Sequence, residues 1–94
     1  GDERQINVHF DRKALESRHL SVQHVRAVLG AENINFPAGT VKVGEKKLQI
    51  RVAGRFKNRD EIANMVIGQE GDALVRLRDV AEIKDSFEKP QAWA

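Results

Sequence analysis

The run Val75-Arg76-Leu77-Arg78-Asp79-Val80-Ala81-Glu82-Ile83 constrains this chain more than any other stretch. Val75 and Leu77 fall on one side of an extended backbone and Arg76 and Arg78 on the other, the period-two pattern of a half-buried strand. Asp79 breaks that alternation before Val80 and Ile83 resume it. The run reads as a strand that turns a corner, and none of its residues forms a catalytic pattern.

The rest of the chain supplies partners for such a strand. Ile6, Val8 and Phe10 alternate with Asn7, His9 and Asp11, which predicts a half-buried strand over residues 5–10. Asp11 is placed to cap a short turn over residues 12–17, with Ala14 and Leu15 as its apolar contacts. Val22, Val25, Val28 and Leu29 then recur at helical spacing. Ser21 suits the N-cap of that helix, Leu20 and Val25 have the spacing of a hydrophobic staple, and Gly30 is placed to end it in a left-handed conformation.

Residues 33–52 read as an excursion. Ile34, Phe36, Val41 and Val43 lie on two short extended pieces divided by Pro37-Ala38-Gly39, and 44–47 looks like a turn. Leu48, Ile50 and Val52 then alternate as a longer strand. Pro37 cannot donate to a ladder and belongs at an edge or a bend. The excursion has few residues with which to build a core, so it either folds back on the domain or finds cover on a partner.

Asn58-Arg59-Asp60-Glu61 has the spacing of a capping box, and Ile62, Met65 and Val66 supply the stripe of a short second helix. The chain then straightens at 65–67, turns at 68–72 and enters the last strand at 73–78, continuing through Val80 and Ile83 toward Phe87 and Trp93. The expected architecture is α+β, a βαββαβ-like sheet with two helices on one face and a protruding hairpin arm. Val8, Phe10, Val25, Leu29, Ile50, Val52, Ile62, Val66, Val75 and Leu77 are the expected core.

The length of 94 residues allows one domain with a single modest core, and we read residues 1–94 as one unit. A composition 40% hydrophobic and 32% charged is that of an ordinary soluble globular domain. Lys+Arg number 16 against 14 Asp+Glu, interspersed along the chain, an excess too small to imply nucleic acid. The absence of cysteine removes disulfides and thiolate metal sites. No apolar run reaches the roughly 18–20 residues needed to span a bilayer. The chain starts at Gly1 without Met and is read as a segment of a longer polypeptide.

Candidate chemistry is thin. His19 and His24 are five residues apart, not the three or four that would place both on one helix face, so with His9 they read as surface histidines and not as a zinc site. No Ser lies in a Gly-x-Ser-x-Gly elbow, and no glycines have phosphate-cradling spacing. Lys46, Lys47, Arg51, Arg55, Lys57 and Arg59 form the densest positive region, but Phe56 is the only ring near them, which argues for a solvated face over a nucleic-acid site. No enzymatic activity, metal, nucleotide or other cofactor is expected.

Several segments, in order, resemble the N-terminal docking subdomain of resistance–nodulation–division (RND) efflux transporters. They are Phe10-Asp11 with Lys13-Ala14-Leu15; Leu20-Ser21-Val22-Gln23-His24-Val25, similar to the family's L-[ST]-x-x-D-V with His24 in place of Asp; and Asn33-Ile34-Asn35-Phe36-Pro37-Ala38-Gly39, similar to its N-x-x-x-x-A-G. Leu48-Gln49-Ile50-Arg51-Val52, Gly54-Arg55-Phe56, the piece from Glu61 to Ile67, and Val75 to Ile83, similar to V-R-L-x-D-V-A-x-[IV], complete the set. The resemblance implies a soluble periplasmic segment of a trimeric, proton-driven inner-membrane exporter, meeting a periplasmic adaptor and an outer-membrane channel. It also implies that an arm, here about residues 33–56, reaches other protomers of the transporter through Ile34, Phe36, Pro37, Gly39, Val41, Val43 and Leu48. The Phe-Pro-Ala-Gly form leans toward the hydrophobe/amphiphile branch over the heavy-metal branch. The rival reading is a free-standing ferredoxin-like regulatory or RNA-binding module.

Overall fold

The computed structural model describes residues 4–37, 41–43 and 47–85. Strand β1 (Arg4–Asp11) runs straight into helix α1 (Arg12–Ser17), and α2 (Val22–Ala31) follows. Next come β2 (Val41–Val43), β3 (Lys47–Gly54), α3 (Arg59–Ala63), β4 (Val66–Glu70) and β5 (Ala73–Arg76). A 3-10 turn (Leu77–Asp79) leads into β6 (Ala81–Asp85). The fold is α+β, as expected from the sequence.

The main sheet has the order β2-β3-β1-β6, all antiparallel, and β4 and β5 form a separate hairpin. Strand β1 is central: Ile6 faces Val52, and Val8 faces both Ile50 on β3 and Ile83 on β6. Directly opposed residues share a sheet face, so these apolar side chains form one continuous surface. Leu15 from α1, Val25 and Leu29 from α2 and Ile62 from α3 are buried in the same core cluster, joined by Ile67, Val75 and Leu77. The two expected helices therefore share one face of the sheet, and the expected turn at 12–17 is a third short helix.

Each helix start is capped from within the sequence. Asp11 accepts from the Lys13 N–H at 3.0 Å, Ser21 from the His24 N–H at 3.0 Å, and Asn58 from the Asp60 N–H at 3.0 Å. Glu61 reaches back to the Lys57 N–H at 3.0 Å, one residue before the N-cap, so the reciprocal half of the capping box lands on the preceding donor.

The end of α2 departs from expectation. Gly30 lies inside the helix, and the left-handed residue is Asn33, with φ of 66°. The Asn33 N–H donates to the Gly30 carbonyl at 3.0 Å and the Ile34 N–H to the Leu29 carbonyl at 3.1 Å, the paired bonds of a Schellman motif. That motif sets residue Ile34 over Leu29, and both are buried. The helix runs on past Gly30 because stopping there would forfeit this contact. Helix α1 ends the same way, with His19 left-handed at 59° and the Leu20 N–H donating to the Leu15 carbonyl at 2.9 Å.

Three further expectations are corrected. Gly68 and Gln69 lie in β4 and not in a turn; the turn is confined to Gly71 and Asp72, with Gly71 at φ 60° in the position that a type II′ hairpin gives to glycine. Gly68 suits its place because a Cβ there would lie 3.0 Å from a Leu20 methyl. Val66, expected in the core, begins β4 and is 41% exposed, because α3 ends at Ala63 and leaves both Met65 and Val66 outside the helical stripe on which they were expected. The last strand is split between the two sheets at its corner. There Asp79 accepts from the Arg76 N–H at 2.8 Å, while Arg76 donates to the Asn64 carbonyl at 2.8 Å and Arg78 to the Asn64 side-chain oxygen at 2.9 Å. The alternating arginines thus satisfy the C-terminus of α3.

Substitutions at two positions test this packing. Leu29→Ala is expected to lower stability by about 2–4 kcal/mol, read as a shift of the urea midpoint without loss of slope. At Asn33, glycine is expected to be neutral or slightly stabilising, whereas valine, which resists positive φ, should cost at least about 1 kcal/mol. Equal midpoints for the two Asn33 variants would place the helix terminus elsewhere.

Candidate functional site

The excursion between α2 and α3 begins at a firmly held root. Ile34 is only 6% exposed and belongs to the domain's own core. Asn35 and Ala53 exchange both backbone bonds, at 2.7 and 2.8 Å. A Cβ on Gly54 would lie 2.9 Å from an Ile34 methyl, so glycine lets β3 close over that side chain. Phe36 and Leu48 are half-buried against the same core, and Arg26 on α2 sits 5.0 Å from the Phe36 ring centroid.

Of the two alternatives open for the excursion, folding back on the domain holds for Ile34 and in part for Phe36 and Leu48. Ile34 is fully covered and Phe36 and Leu48 are partly covered. The return limb is not free either, since β3 pairs with β1 along its whole length, from Lys47 opposite Asp11 to Gly54 opposite Arg4. Burial of a strand's face on a central partner follows from the alternation of Leu48, Ile50 and Val52, which matches that of Phe10, Val8 and Ile6.

The outgoing limb behaves differently. Val41 pairs with Ile50 and Val43 with Leu48 on the side of β3 away from β1. Strand β2 is therefore an edge strand, and it stands at the end of the sheet with no neighbour beyond it among the described residues. For Val41 and Val43 the backbone placement alone is described, Pro37 is half-buried, and Gly39 lies outside the described residues, as do the expected turn residues 44–46 and Phe87 and Trp93.

Other candidate residues do not converge. Arg51, Arg55, Lys57 and Arg59 are exposed but spread over a strand, a bend and a helix, and Lys46 lies outside the described residues. A depression of about 780 Å³ between β1, α3 and the corner is lined by Asp11, Asp60, Asp79 and Glu82 together with Arg59, Arg78 and Lys84, so charges of both signs are interspersed along it. Among the described residues, no three His, Asp or Glu side chains gather as metal ligands. His24 is not simply a surface histidine: its Nε2 lies 2.8 Å from the Ile67 carbonyl, so it donates and ties α2 to β4. Arg26 was not marked out by the sequence, because one arginine on an exposed helix face carries no distinguishing pattern.

The domain is α+β, one edge strand of its main sheet, β2, is carried on the excursion, and no three potential metal ligands gather among the described residues. The chain matches the AcrB/AcrD/AcrF family over residues 1–94 and belongs to that family of RND efflux transporters. It is 31% identical over 83 residues to the multidrug resistance protein MdtC of Pectobacterium atrosepticum, covering 88% of this chain and 8% of that protein. It is 35% identical over 83 residues to protein HelA of Legionella pneumophila, again 88% of this chain and 8% of the relative. An uncharacterized transporter of Haemophilus influenzae is 29% identical over 89 residues, 95% of this chain and 9% of that protein. The chain thus spans under a tenth of the length of these curated relatives, and no solved structure matches it. No helix among the described residues is long and apolar enough to cross a membrane.

The burial pattern separates root from limb in a measurable way. Ile34→Ala is expected to cost about 2–4 kcal/mol in urea unfolding, as a core truncation does. Val66→Ala, at an exposed position, should change stability by less than about 1 kcal/mol. Comparable losses at the two sites would mean that the core boundary lies elsewhere.

Proposed function

We propose that this chain is the N-terminal docking subdomain of an RND multidrug efflux transporter. In this reading it lies in the periplasm, as part of an inner-membrane exporter, and performs no chemistry. Its excursion, about residues 33–56, serves as an arm that contacts the neighbouring protomer and helps hold the trimer. The membrane-distal surface meets the periplasmic adaptor and the outer-membrane channel. Membership of the family across residues 1–94 is the observation that carries the reading.

The edge strand supports the role of the arm. An exposed edge presents unpaired N–H and C=O groups, and these are a template for another chain unless something covers them. Phe36, Pro37, Gly39, Val41, Val43 and Leu48 are the residues assigned to the inter-protomer contact, with Ile34 as the buried root that anchors them. The hydrophobe/amphiphile branch remains our assignment on the Phe-Pro-Ala-Gly segment. A free-standing ferredoxin-like regulatory or RNA-binding module fits less well, since among the described residues the basic side chains share no sheet face with interleaved aromatic rings.

This chain contributes no cysteine, so once any cysteines elsewhere in the full-length protein are replaced a single one can be introduced as a probe. In the full-length protein, Lys42→Cys on β2 is expected to give protomer–protomer products with a short bismaleimide linker, visible as dimer and trimer bands on a denaturing gel. Lys13→Cys, on α1, is expected to give none. Absence of linked bands from Lys42→Cys, with the cysteine shown to be reactive, would rule out the arm contact.

A further inference from the structure

We propose that Arg26 is a positioning residue for the arm: by stacking on Phe36 it ties the outgoing limb to α2 at the point where the limb's pairing with β3 lapses. The lapse is visible in the register. Asn35 pairs with Ala53, and Val41 lies opposite Ile50, so six residues of advance on the outgoing limb meet three on β3. Phe36 and Pro37, the described residues that follow the bridge, take part in no strand or bridge, so ladder bonds do not set the heading of the chain at Phe36. Side-chain anchors have to do so.

Phe36 is the first residue of this lapse, and its ring is the anchor. It is half-buried against the core and lies 5.0 Å from the Arg26 guanidinium carbon, within the roughly 6 Å over which a cation is held by an aromatic face. Pro37 follows, which biases Phe36 toward an extended backbone and removes an N–H that would need a partner. Arg26 in turn stands on a helix held at several points. Ser21 caps it, Val25 and Leu29 are buried, and His24 is bonded to the Ile67 carbonyl. The stack therefore refers the start of the arm to the rigid body of the domain. A guanidinium suits this better than an ammonium because its plane can lie flat on the ring.

The use to which the aimed arm is put rests on the inter-protomer reading above; the stack itself does not. Hydrogen exchange in the full-length protein separates the two. In Arg26→Ala the Asn35 and Ala53 amides, which are bonded to each other's residues, are expected to exchange roughly two- to fivefold faster. Val41–Val43 should follow them. Phe36→Leu, which keeps an apolar side chain but removes the ring, should have the same effect. The two changes together should add little to either alone, and Arg26→Lys should fall between Arg26→Ala and the parent. Val8 on β1 and Val25 on α2 should exchange as before.

Unchanged exchange at Asn35 and Ala53 in Arg26→Ala overturns the proposal. So does equal acceleration along α2, which would make Arg26 a support of its own helix. Measured alongside, Lys42→Cys linking distinguishes the two readings. Faster exchange in Arg26→Ala with no linking even from Lys42→Cys alone upholds the positioning role and counts against the inter-protomer contact. Lost linking with exchange unchanged overturns the positioning role, since Arg26 would then act on the neighbour directly.

Discussion

The antiparallel register of β1 against β3 is the constraint on which the rest of this domain depends. Opposite Val8 stands Ile50, and opposite Ile6 stands Val52, so two strands far apart in sequence present one apolar face. Side chains alternate with period two, and a slip of one residue would turn that face to solvent and bring Asn7 and Arg51 inward. Helices α1, α2 and α3 have no apolar surface to cover unless this face exists. The same register fixes where the excursion must leave and return, because β3 is both the central neighbour of β1 and the returning limb of the arm.

This double use explains why the arm has a tight root and an unpartnered edge. A hairpin that merely protruded would carry two strands of equal standing. Here one strand is held on both sides and the other on one side only. The Schellman bonds at Asn33 and Ile34, the two-way bridge from Asn35 to Ala53 and the glycine at position 54 all act within a few residues of each other. They fix the point of departure, and just beyond it Phe36 and Pro37 take part in no strand or bridge. An element that must meet a separate body benefits from this division, since the domain supplies rigidity at one end and exposed backbone groups at the other.

How much of this was legible in the sequence follows from what each signal measures. Alternation reports which face of a strand is buried, and it placed Ile6, Val8, Phe10, Ile50 and Val52 correctly. Caps made by short polar side chains are local, and Asp11, Ser21 and Asn58 were found for that reason. Helix ends were harder. Glycine is the usual left-handed residue, yet the terminus was decided by the tertiary contact of Ile34 with the core, and asparagine tolerates the conformation well enough to allow it. Val66 was misplaced because a helical stripe and the start of a strand share apolar residues. The Arg26 stack had no sequence signal at all, since it depends on two side chains ten residues apart being brought together by the turn between them.

The corner at residues 76–79 shows how a short polar run can decide architecture. Without it, β5 and β6 would be one strand, and the β4–β5 hairpin would have to extend the main sheet. Asp79 accepts the Arg76 N–H, and the Asp11 N–H donates to the Val80 carbonyl at 2.9 Å, so the chain is turned and at once received by the start of α1. Arg76 and Arg78 point away from the core and meet Asn64, which fixes α3 against the same corner. The hairpin is thereby freed to stand as its own layer, with Leu74 52% exposed on it, while its buried residues Ile67 and Val75 still reach the common core. One aspartate and two arginines let a single strand serve two sheets, and a domain of this size can then carry two separate sheets on one core.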